Sequence, residues 1–454
     1  MPATLSARRV YDPAMAKPRP DLPSAPWLVV GLARSGVAAA LALRERGEEV
    51  RGVDAGSPER AASTLRAAGV DVTLGTDGLE ALRGVRAAVK SPGVPAGAPA
   101  VAGARERGLT VMGELELGWR LLDNEVVAVT GTNGKTTTVE LIGHIHREAG
   151  APVAVAGNVG TPLASLAGTL RPGTVVACEA SSFQLEDALD FAPEAAVLLN
   201  IAPDHLDRHG TFDAYRDAKL RIFAHQGNDD VAVAPVGLGV EDLGGCARRV
   251  CFGGGPTAEL AERAGRLWWD EEPLVAVDEL ALRGAHNRQN AMAAAAVTLA
   301  RGIEPDAVRA ALRTFAGVEH RLEEVARHDG VLYVNDSKAT NVDSALVALA
   351  SFDAPVHLIL GGQAKGQDFA PLRDAVRDGV RAAYLIGEDA ETIAAALEGA
   401  VPLHRCGNLE QAVAAAREAA RPSEVVLLSP ACASFDQYED FEARGRHFKA
   451  LVEG

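Results

Sequence analysis

The stretch from 126 to 138 contains the groups needed to bind a phosphate. It reads VVAVTGTNGKTTT, an apolar run followed by a loop with two glycines and then a helical pattern. Backbone N–H groups of such a loop, and of the helix that follows, converge on an anion. Lys135 can reach the β- and γ-phosphates of a nucleotide, and the Thr136 hydroxyl can bind Mg²⁺. The loop is not a standard Walker A motif, because Val129 stands where that motif needs glycine. A glycine-rich strand–helix turn is the alternative.

Two further candidates each follow an apolar strand. Glu179 comes directly after the run 174–178, where a carboxylate beside a phosphate loop can hold Mg²⁺ or can simply cap a turn. His205 lies in a polar cluster after the run 195–199. Imidazole is an unusual ligand for Mg²⁺, which prefers oxygen, so His205 is either a metal-site residue or part of a solvated loop.

Lys219 lies on the apolar stripe of a predicted helix over 212–226. The stripe is formed by Phe212, Tyr215, Ile222 and Phe223. A lysine there must extend to solvent, pair with an acid or change its chemistry, because burial favours the neutral amine. A neutral amine can react with CO₂ to form an anionic carbamate.

A second glycine motif occurs near the start of the chain. Gly31-x-Ala33-x-x-Gly36 follows an apolar strand, and Asp54 closes the next strand. This pattern is close to a dinucleotide fingerprint, although Ala33 replaces the middle glycine. Binding of NAD, binding of UDP and a tight strand–helix turn all remain open from this motif alone.

Composition limits the class of protein. The chain has 454 residues and a net charge of −16, which argues against a nucleic-acid surface or an anionic membrane surface. Five scattered cysteines without a CxxC pair indicate a reduced, cytoplasmic protein without a zinc or disulfide framework. No apolar run approaches the roughly 18 residues of a membrane helix. Residues 1–26 are predicted to be a disordered arm, with Met15 as a plausible start of translation.

Strands alternate with helices from three separate beginnings, at 27, 126 and 331. This pattern predicts an α/β protein of three domains, each a mostly parallel sheet with flanking helices. The N-terminal domain (27–112) and the C-terminal domain (318–454) are expected to be Rossmann-like. The central domain (113–317) is expected to resemble a P-loop ATPase.

Taken together, these motifs resemble the Mur ligase family from about residue 27 to the C-terminus. The resemblance rests on GTNGKTTT with GNVGTP at 157–162, EASSFQLE at 179–186, DHLDRHG at 204–210, YRDAKLRIF at 215–223, HNRQN at 286–290, HR at 320–321, NDSKATN at 335–341 and LGGQAKG at 360–366. The segment LSPACASFDQYEDFEARGRHF at 428–448 is similar to the branch that adds D-glutamate, and not to the other branches. Gln363 stands where the family often has an acid and is given no role.

The resemblance implies an ATP- and Mg²⁺-dependent monomer that joins D-glutamate to UDP-N-acetylmuramoyl-L-alanine, with Lys135, Lys219 (as a carbamate) and His205 as catalytic residues. The implied ATP contacts are Gly131, Thr132, Asn133, Gly134, Lys135, Thr136, Thr137, Asn287, Asn290, Arg321 and Asp336. The implied metal-site residues are Thr136, Glu179 and His205. The implied contacts of the UDP substrate are Arg34, Ser35, Asp54, Ser91, Gly93 and Asn158. Those of D-glutamate are Lys338, Thr340, Lys365, Ser434 and Phe441.

Three other functions would each account for part of the sequence. Folylpolyglutamate synthetase shares the central domain, but the added N-terminal domain and the 428–448 segment argue against it. A nucleotide-dependent switch would hydrolyse ATP without ligation, and amino-acid-dependent phosphate release would distinguish it. An NAD-dependent dehydrogenase based on residues 31–54 would leave the phosphate loop unexplained.

Overall fold

The computed structural model describes residues 16–238, 243–255, 257–364 and 366–454, with the backbone alone at Asp207. The chain divides into two compact units. One unit comprises Met1–Leu280 and His286–Phe315, and the other comprises Ala281–Ala285 and Ala316–Gly454. The first unit contains two sheets and the second contains one.

The first sheet has five parallel strands in the order β3-β2-β1-β4-β5. Its strands are β1 (Trp27–Val30), β2 (Val50–Asp54), β3 (Asp71–Leu74), β4 (Ala87–Lys90) and β5 (Thr110–Gly113), and its helices are α1 (Arg34–Glu45), α2 (Glu59–Ala67), α3 (Pro99–Glu106) and α4 (Glu114–Leu121). Trp27 and Val29 pack on one face of β1, and Leu28 and Val30 on the other. A strand buried on both faces reads as a continuous apolar run, as this one does.

The second sheet has nine strands in the order β14-β13-β12-β11-β10-β9-β6-β8-β7. The strands are β6 (Val126–Thr130), β7 (Val153–Gly157), β8 (Val175–Glu179), β9 (Ala195–Leu198), β10 (Val231–Pro235), β11 (Arg248–Gly253), β12 (Leu260–Arg263), β13 (Arg266–Trp269) and β14 (Glu272–Ala276). The helices are α5 (Lys135–Glu148), α6 (Ser182–Leu185), α7 (Leu206–His209), α8 (Phe212–Leu220), α9 (Ala285–Ala300) and α10 (Pro305–Thr314). Among the described residues of this sheet, β12 pairs antiparallel with β13 and β13 pairs antiparallel with β14, whereas the other neighbouring strands are parallel.

The sheet of the second unit has six strands in the order β15-β16-β20-β17-β18-β19, with β15 antiparallel to the rest. The strands are β15 (Glu323–His328), β16 (Val331–Asn335), β17 (Val356–Gly361), β18 (Val380–Ile386), β19 (Leu403–Gly407) and β20 (Val425–Leu428). The helices are α11 (Val342–Leu349), α12 (Leu372–Gly379), α13 (Ala390–Leu397), α14 (Leu409–Ala419) and α15 (Phe441–Glu453). The predicted α/β class with three mostly parallel sheets is confirmed, while the domain boundaries near 112 and 317 stay predictions.

Within the predicted arm, residues 17 and 19 make side-chain contacts with the first unit, and residues 1–15 lie outside the described chain. The Arg19 guanidinium is 2.8 Å from Glu194 Oε1 and donates to the Asn124 carbonyl at 2.8 Å. It also lies 4.7 Å from the centre of the Trp119 ring. Lys17 pairs with Asp230. The sequence could not show this docking, because the acids that hold the two basic side chains are far along the chain.

The helix predicted over 212–226 from the spacing of its apolar residues is shorter in the structure. It ends at Leu220, and residues 221–225 continue as turns that still bury Ile222 and Phe223. None of the helices in the described part of the chain is long and apolar enough to cross a lipid bilayer.

Candidate active site

The predicted phosphate loop joins β6 to α5 at the point where the strand order of the second sheet reverses. β6 pairs with β9 on one side and with β8 on the other, so the loop opens at the crevice where open α/β sheets bind ligands. Gly134 precedes α5 with a φ of 85°. A Cβ at this position would lie 2.1 Å from Oδ1 of the buried Asn290. Glycine is therefore required both by the backbone angle and by the space around it.

We expect Gly134→Ala to abolish nucleotide binding while costing about 1–3 kcal/mol of unfolding free energy from the positive φ. The methyl group would displace Asn290 from the loop. Gly150→Ala is the matched control, because Gly150 has a φ of 68° with nothing within 4 Å of the added Cβ. Urea unfolding of both variants measures the cost of the positive φ. Calorimetry with ATP shows whether the clash with Asn290, which only Gly134→Ala introduces, removes nucleotide binding. Normal ATP affinity in Gly134→Ala would contradict this account of the loop.

Two lysines from different helices converge on one backbone carbonyl of the loop. Lys135 Nζ donates to the Gly131 carbonyl at 3.0 Å and to the Thr132 carbonyl at 2.9 Å. Lys219 Nζ donates to the same Gly131 carbonyl at 2.8 Å. The structure thus brings together the two lysines that the sequence singled out separately.

Lys219 does not extend to solvent, since only 2% of the residue is exposed. Its Nζ lies 4.5 Å from the centre of the Tyr215 ring. Burial, aided by the positive charge of Lys135, lowers the pKa of Lys219 to about 7, against the opposing pull of Asp204 and Glu179. A large fraction of this amine is therefore neutral near physiological pH, the form that reacts with CO₂.

Glu179 is the final residue of β8 and contacts the first turn of α5 and the residue that follows β7. Its Oε2 accepts from the Thr136 hydroxyl at 2.6 Å, and its Oε1 accepts from the Asn158 amide at 2.9 Å. These are oxygen groups of the kind that Mg²⁺ prefers, and Mg²⁺ usually takes only one or two carboxylates from a protein. No group of three or more His, Cys, Asp or Glu side chains suited to a metal occurs among the described residues. The predicted Mg²⁺ site therefore stays a prediction.

His205 precedes α7 in the left-handed conformation, with a φ of 51°. Its side chain is half exposed, and its Nε2 is 3.4 Å from Asp204 Oδ2. The ring lies 4.8 Å from the ring of Phe183, centre to centre. A non-glycine residue in this conformation is uncommon and often marks a functional constraint.

Asn200 is a residue of the loop region to which the sequence assigned no role. Its Oδ1 accepts from the backbone N–H groups of Thr132 at 3.0 Å and Asn133 at 2.9 Å. Its amide donates back to the Asn133 carbonyl. Asn200 therefore holds the loop through the neighbouring strand end. Its place after the apolar run 195–199 was the available signal.

The remaining predicted nucleotide contacts of the first unit lie on α5 and α9. Asn290 is buried and donates to Asn287 Oδ1 at 3.2 Å. Thr137 is buried in the first turn of α5. Asn290 is thus close to Gly134, and no motif in the sequence predicts this proximity.

In the first sheet, several predicted substrate residues are engaged in shaping the turns. Asp54 Oδ2 accepts from the Leu32 N–H at 2.7 Å, and its Oδ1 accepts from the Gly56 N–H at 2.8 Å. The Ser91 hydroxyl donates to the Gly31 carbonyl at 2.7 Å. These contacts shape a tight strand–helix turn, and the predicted contacts with UDP stay predictions. The more accessible predicted residues at this edge are Arg34, Ser35 and Gly93.

In the second unit, Asp336 follows β16 and is buried. Its Oδ2 accepts from the Ser429 hydroxyl at 2.8 Å and its Oδ1 from the Leu322 N–H at 3.2 Å. Burial raises the pKa of Asp336 to about 7, partly offset by those hydrogen bonds and by the charge of Arg321. Arg321 and Asp336 are thus electrostatically coupled, while their assignment as nucleotide contacts stays a prediction.

The described D-glutamate candidates of the second unit lie on the loop after β16, on the loop after β20 and at the first residue of α15. Lys338 Nζ lies 5.0 Å from the centre of the Phe441 ring. The Thr340 N–H donates to the Lys338 carbonyl at 2.8 Å. Ser434 is buried, and its carbonyl accepts from the Tyr438 N–H at 2.8 Å. Lys365 lies outside the described residues.

Arg444 is a buried residue of this region that sequence reasoning missed. Its Nε donates to the Ser337 hydroxyl at 3.0 Å, and its Nη2 donates to the carbonyls of Ser337 at 2.9 Å and Cys432 at 3.0 Å. Burial lowers its pKa to about 10. The guanidinium therefore joins the loop that follows β16 to the loop that follows β20, and these loops carry Lys338 and Ser434. Its presence in the 428–448 segment was the only signal in the sequence.

Comparison with known proteins agrees with these observations. Three domain families match the chain: the Mur ligase MurD-like N-terminal domain over residues 25–113, the Mur ligase middle domain over 129–238 and the Mur ligase glutamate ligase domain over 320–432. The chain is 42% identical to UDP-N-acetylmuramoylalanine--D-glutamate ligase of Acidobacterium capsulatum, over 94% of this chain and 95% of that protein. It is 44% identical to the enzyme of the same name from Salinibacter ruber, over 94% and 97%.

Solved structures show the same fold at lower identity. UDP-N-acetylmuramate-alanine ligase MurC from Thermotoga maritima matches with a TM-score of 0.58 and 19% identity, over 95% of this chain and 99% of that one. MurF from Acinetobacter baumannii matches with a TM-score of 0.56 and 19% identity, over 94% and 93%. With near full-length relatives above 40% identity and three matching domains in order, this chain belongs to the Mur ligase family.

Proposed function

We propose that this protein is an ATP-dependent ligase that joins D-glutamate to UDP-N-acetylmuramoyl-L-alanine in peptidoglycan synthesis. The observation that carries the proposal is the arrangement around the Gly131 carbonyl. Lys135 and Lys219 meet there, on the same loop that leads to the Thr136–Glu179 pair. The names of the near full-length relatives support the choice of substrates.

The first step is phosphoryl transfer. A carboxylate oxygen of the UDP substrate attacks the γ-phosphorus of ATP, the bond from that phosphorus to the bridging oxygen breaks, and an acyl phosphate and ADP result. Lys135 would leave its carbonyl partners and follow the charge of the phosphates. Catalysis of this step depends on positioning and on charge neutralisation.

The second step is acyl transfer. The neutral amine of D-glutamate attacks the acyl carbon, and inorganic phosphate leaves with the bonding electron pair while the nitrogen loses a proton. Lys338, Thr340 and Ser434 would meet the two carboxylates and the amine, with Lys365 as the further cation and Phe441 as the apolar wall. Arg444 would hold two of the loops that present them.

The groups around Glu179 fit Mg²⁺, which when bound would neutralise phosphate charge. Thr136 and Glu179 would supply oxygen ligands, and the half-exposed side chain of His205 would complete the site. Lys219 would serve as a carbamate, whose anion suits a place beside a metal better than an ammonium does. The proposal also includes a cytoplasmic monomer that binds neither nucleic acid nor membrane.

Phosphate release with ATP and UDP-N-acetylmuramoyl-L-alanine, measured against a panel of amino acids, tests the specificity. D-glutamate should support release, whereas L-glutamate, D-alanine and meso-diaminopimelate should support little. A polar site can reject a mismatched analogue strongly, because a misplaced group leaves buried donors unpaired. Lys338→Ala and Lys365→Ala should raise the KM for D-glutamate much more than the KM for ATP.

Other outcomes of the same assay would redirect the proposal. Release without any amino acid would indicate a nucleotide switch. Preference for L-glutamate on a folate acceptor would indicate the folylpolyglutamate synthetase activity. Arg373→Ala is a suitable control, because this exposed residue of α12 contacts the carbonyls of Ala396 and Glu398 and not the loops that follow β16 and β20.

A further inference from the structure

Arg208 bridges two parts of the first unit that the proposed reaction must bring together. Its Nη1 donates to the Pro92 carbonyl at 2.7 Å, in the turn that follows β4 of the first sheet. Its Nη2 donates to Glu186 Oε2 at 3.0 Å, just beyond α6 of the second sheet. The side chain is largely buried, with 18% exposed. A guanidinium that donates hydrogen bonds to both a carbonyl and a carboxylate fixes the relative position of the two segments more firmly than a single contact could.

The same side chain supports the aromatic contact behind His205. The Arg208 guanidinium carbon lies 4.2 Å from the centre of the Phe183 ring. The Phe183 ring in turn lies 4.8 Å from the ring of His205 and 5.5 Å from that of His209. Arg208 thus covers one aromatic ring that contacts both histidines.

Glu186 extends the network to the other end of α7. Its Oε1 is 3.1 Å from His209 Nδ1, and His209 Nε2 is 3.1 Å from the Ser182 hydroxyl. Since α7 is only the four residues Leu206–His209, contacts of Arg208 and His209 leave this helix little freedom. The position of His205, directly before the helix, is fixed by the same contacts.

We propose that Arg208 is a positioning residue that sets the 91–93 turn of the substrate domain against the α6–α7 region of the reaction centre. The inference rests on the proposed function and on the implied roles of Ser91 and Gly93 as contacts of the UDP substrate and of His205 as a metal-site residue. Arg208 itself need touch neither substrate. Its role is to keep the acceptor carboxylate in line with the phosphate loop once the sugar nucleotide is bound.

The test is steady-state kinetics of Arg208→Ala, with each substrate varied in turn. We expect the KM for UDP-N-acetylmuramoyl-L-alanine to rise at least about tenfold and kcat to fall about tenfold to a hundredfold, because small misplacements near reacting groups have effects of this size. The KM for D-glutamate should stay within about threefold. Added guanidinium at non-denaturing concentration should restore part of the activity, whereas sodium at equal ionic strength should not.

Arg221→Ala is the matched control. Arg221 donates to the Glu186 carbonyl at 2.6 Å, so it contacts the same segment, but it is exposed and its described contacts do not include the 91–93 turn. Its kinetic constants should be unchanged. A double-mutant cycle of Arg208→Ala with Glu186→Gln should be non-additive if the two act as one unit.

Equal changes in all three KM values, additive effects in the cycle, or no guanidinium rescue of a folded Arg208→Ala protein would overturn the positioning role. Arg208→Lys is the second variant should alanine unfold the protein, because lysine keeps the charge but cannot bridge both partners in the same geometry. Failure of the wild-type protein to bind UDP-N-acetylmuramoyl-L-alanine in calorimetry would instead refute the proposed function.

Discussion

Lys135→Ala should lower ligase turnover by several orders of magnitude while leaving the fold intact. Removing a preorganised charge from a phosphoryl-transfer site costs several kcal/mol of transition-state stabilisation. In the free protein the side chain donates to the carbonyls of Gly131 and Thr132, and hydrogen bonds of this kind contribute about 0.5–1.5 kcal/mol each, so the change in unfolding free energy should be small beside the loss of turnover. Phosphate release and urea unfolding measure the two effects.

Arg147→Ala provides the control for Lys135→Ala. Arg147 is an exposed cation near the C-terminal end of the same helix, α5, so its removal changes the net charge equally. The turnover of the Arg147→Ala variant should equal that of the wild-type protein. A folded Lys135→Ala protein with near-normal turnover would refute the assignment of the phosphate loop.

Lys219→Met should be nearly inactive although it folds. Methionine fills most of the buried space next to Tyr215 without a charge, so the inactivity would reflect lost chemistry more than lost packing. If Lys219 works as a carbamate, short carboxylates such as acetate should restore part of the activity of the smaller variant Lys219→Ala. They would supply the missing anion in the space left by the side chain.

The carbamate also predicts a dependence on CO₂ and pH in the wild-type protein. The amine must be neutral to react, and the pKa of Lys219 is lowered to about 7. Carbamate formation, and activity with it, should therefore rise as pH increases through about 7 and decline below it. NMR with ¹³CO₂ would detect the carbamate directly. An unmodified Lys219, with activity unaffected by removal of CO₂, would leave it as an ordinary hydrogen-bonding lysine.

Much of the candidate site could be predicted because its signals are local. Lys219 was found from the spacing of apolar residues within a single helix, and Glu179 from its place directly after a buried strand. The overlong prediction for that helix has a similar origin, since Ile222 and Phe223 continue the apolar spacing beyond its end at Leu220. The two residues are buried from a turn instead.

The residues that were missed act through contacts between distant parts of the chain. Asn200 meets Thr132 across 68 positions, Arg208 meets Pro92 across 116, and Arg444 meets Ser337 across 107. No spacing rule predicts such pairs before the sheets are assembled. The sequence analysis did not predict the strands β12–β14. These strands are short and pair antiparallel, and their residues show no clear alternation of polar and apolar side chains.

The docking of Arg19 has a consequence for shortened forms of the protein. Glu194 Oε2 accepts from the N–H of Val126, the first residue of the strand that leads into the phosphate loop. Deletion past Arg19 would leave this carboxylate buried without that cation, a kind of lesion that costs about 3–5 kcal/mol. The resulting loss of activity in cells would imitate an active-site defect although no active-site residue had changed. Translation from Met15 would retain both Lys17 and Arg19, so this alternative start would keep their ion pairs with Asp230 and Glu194.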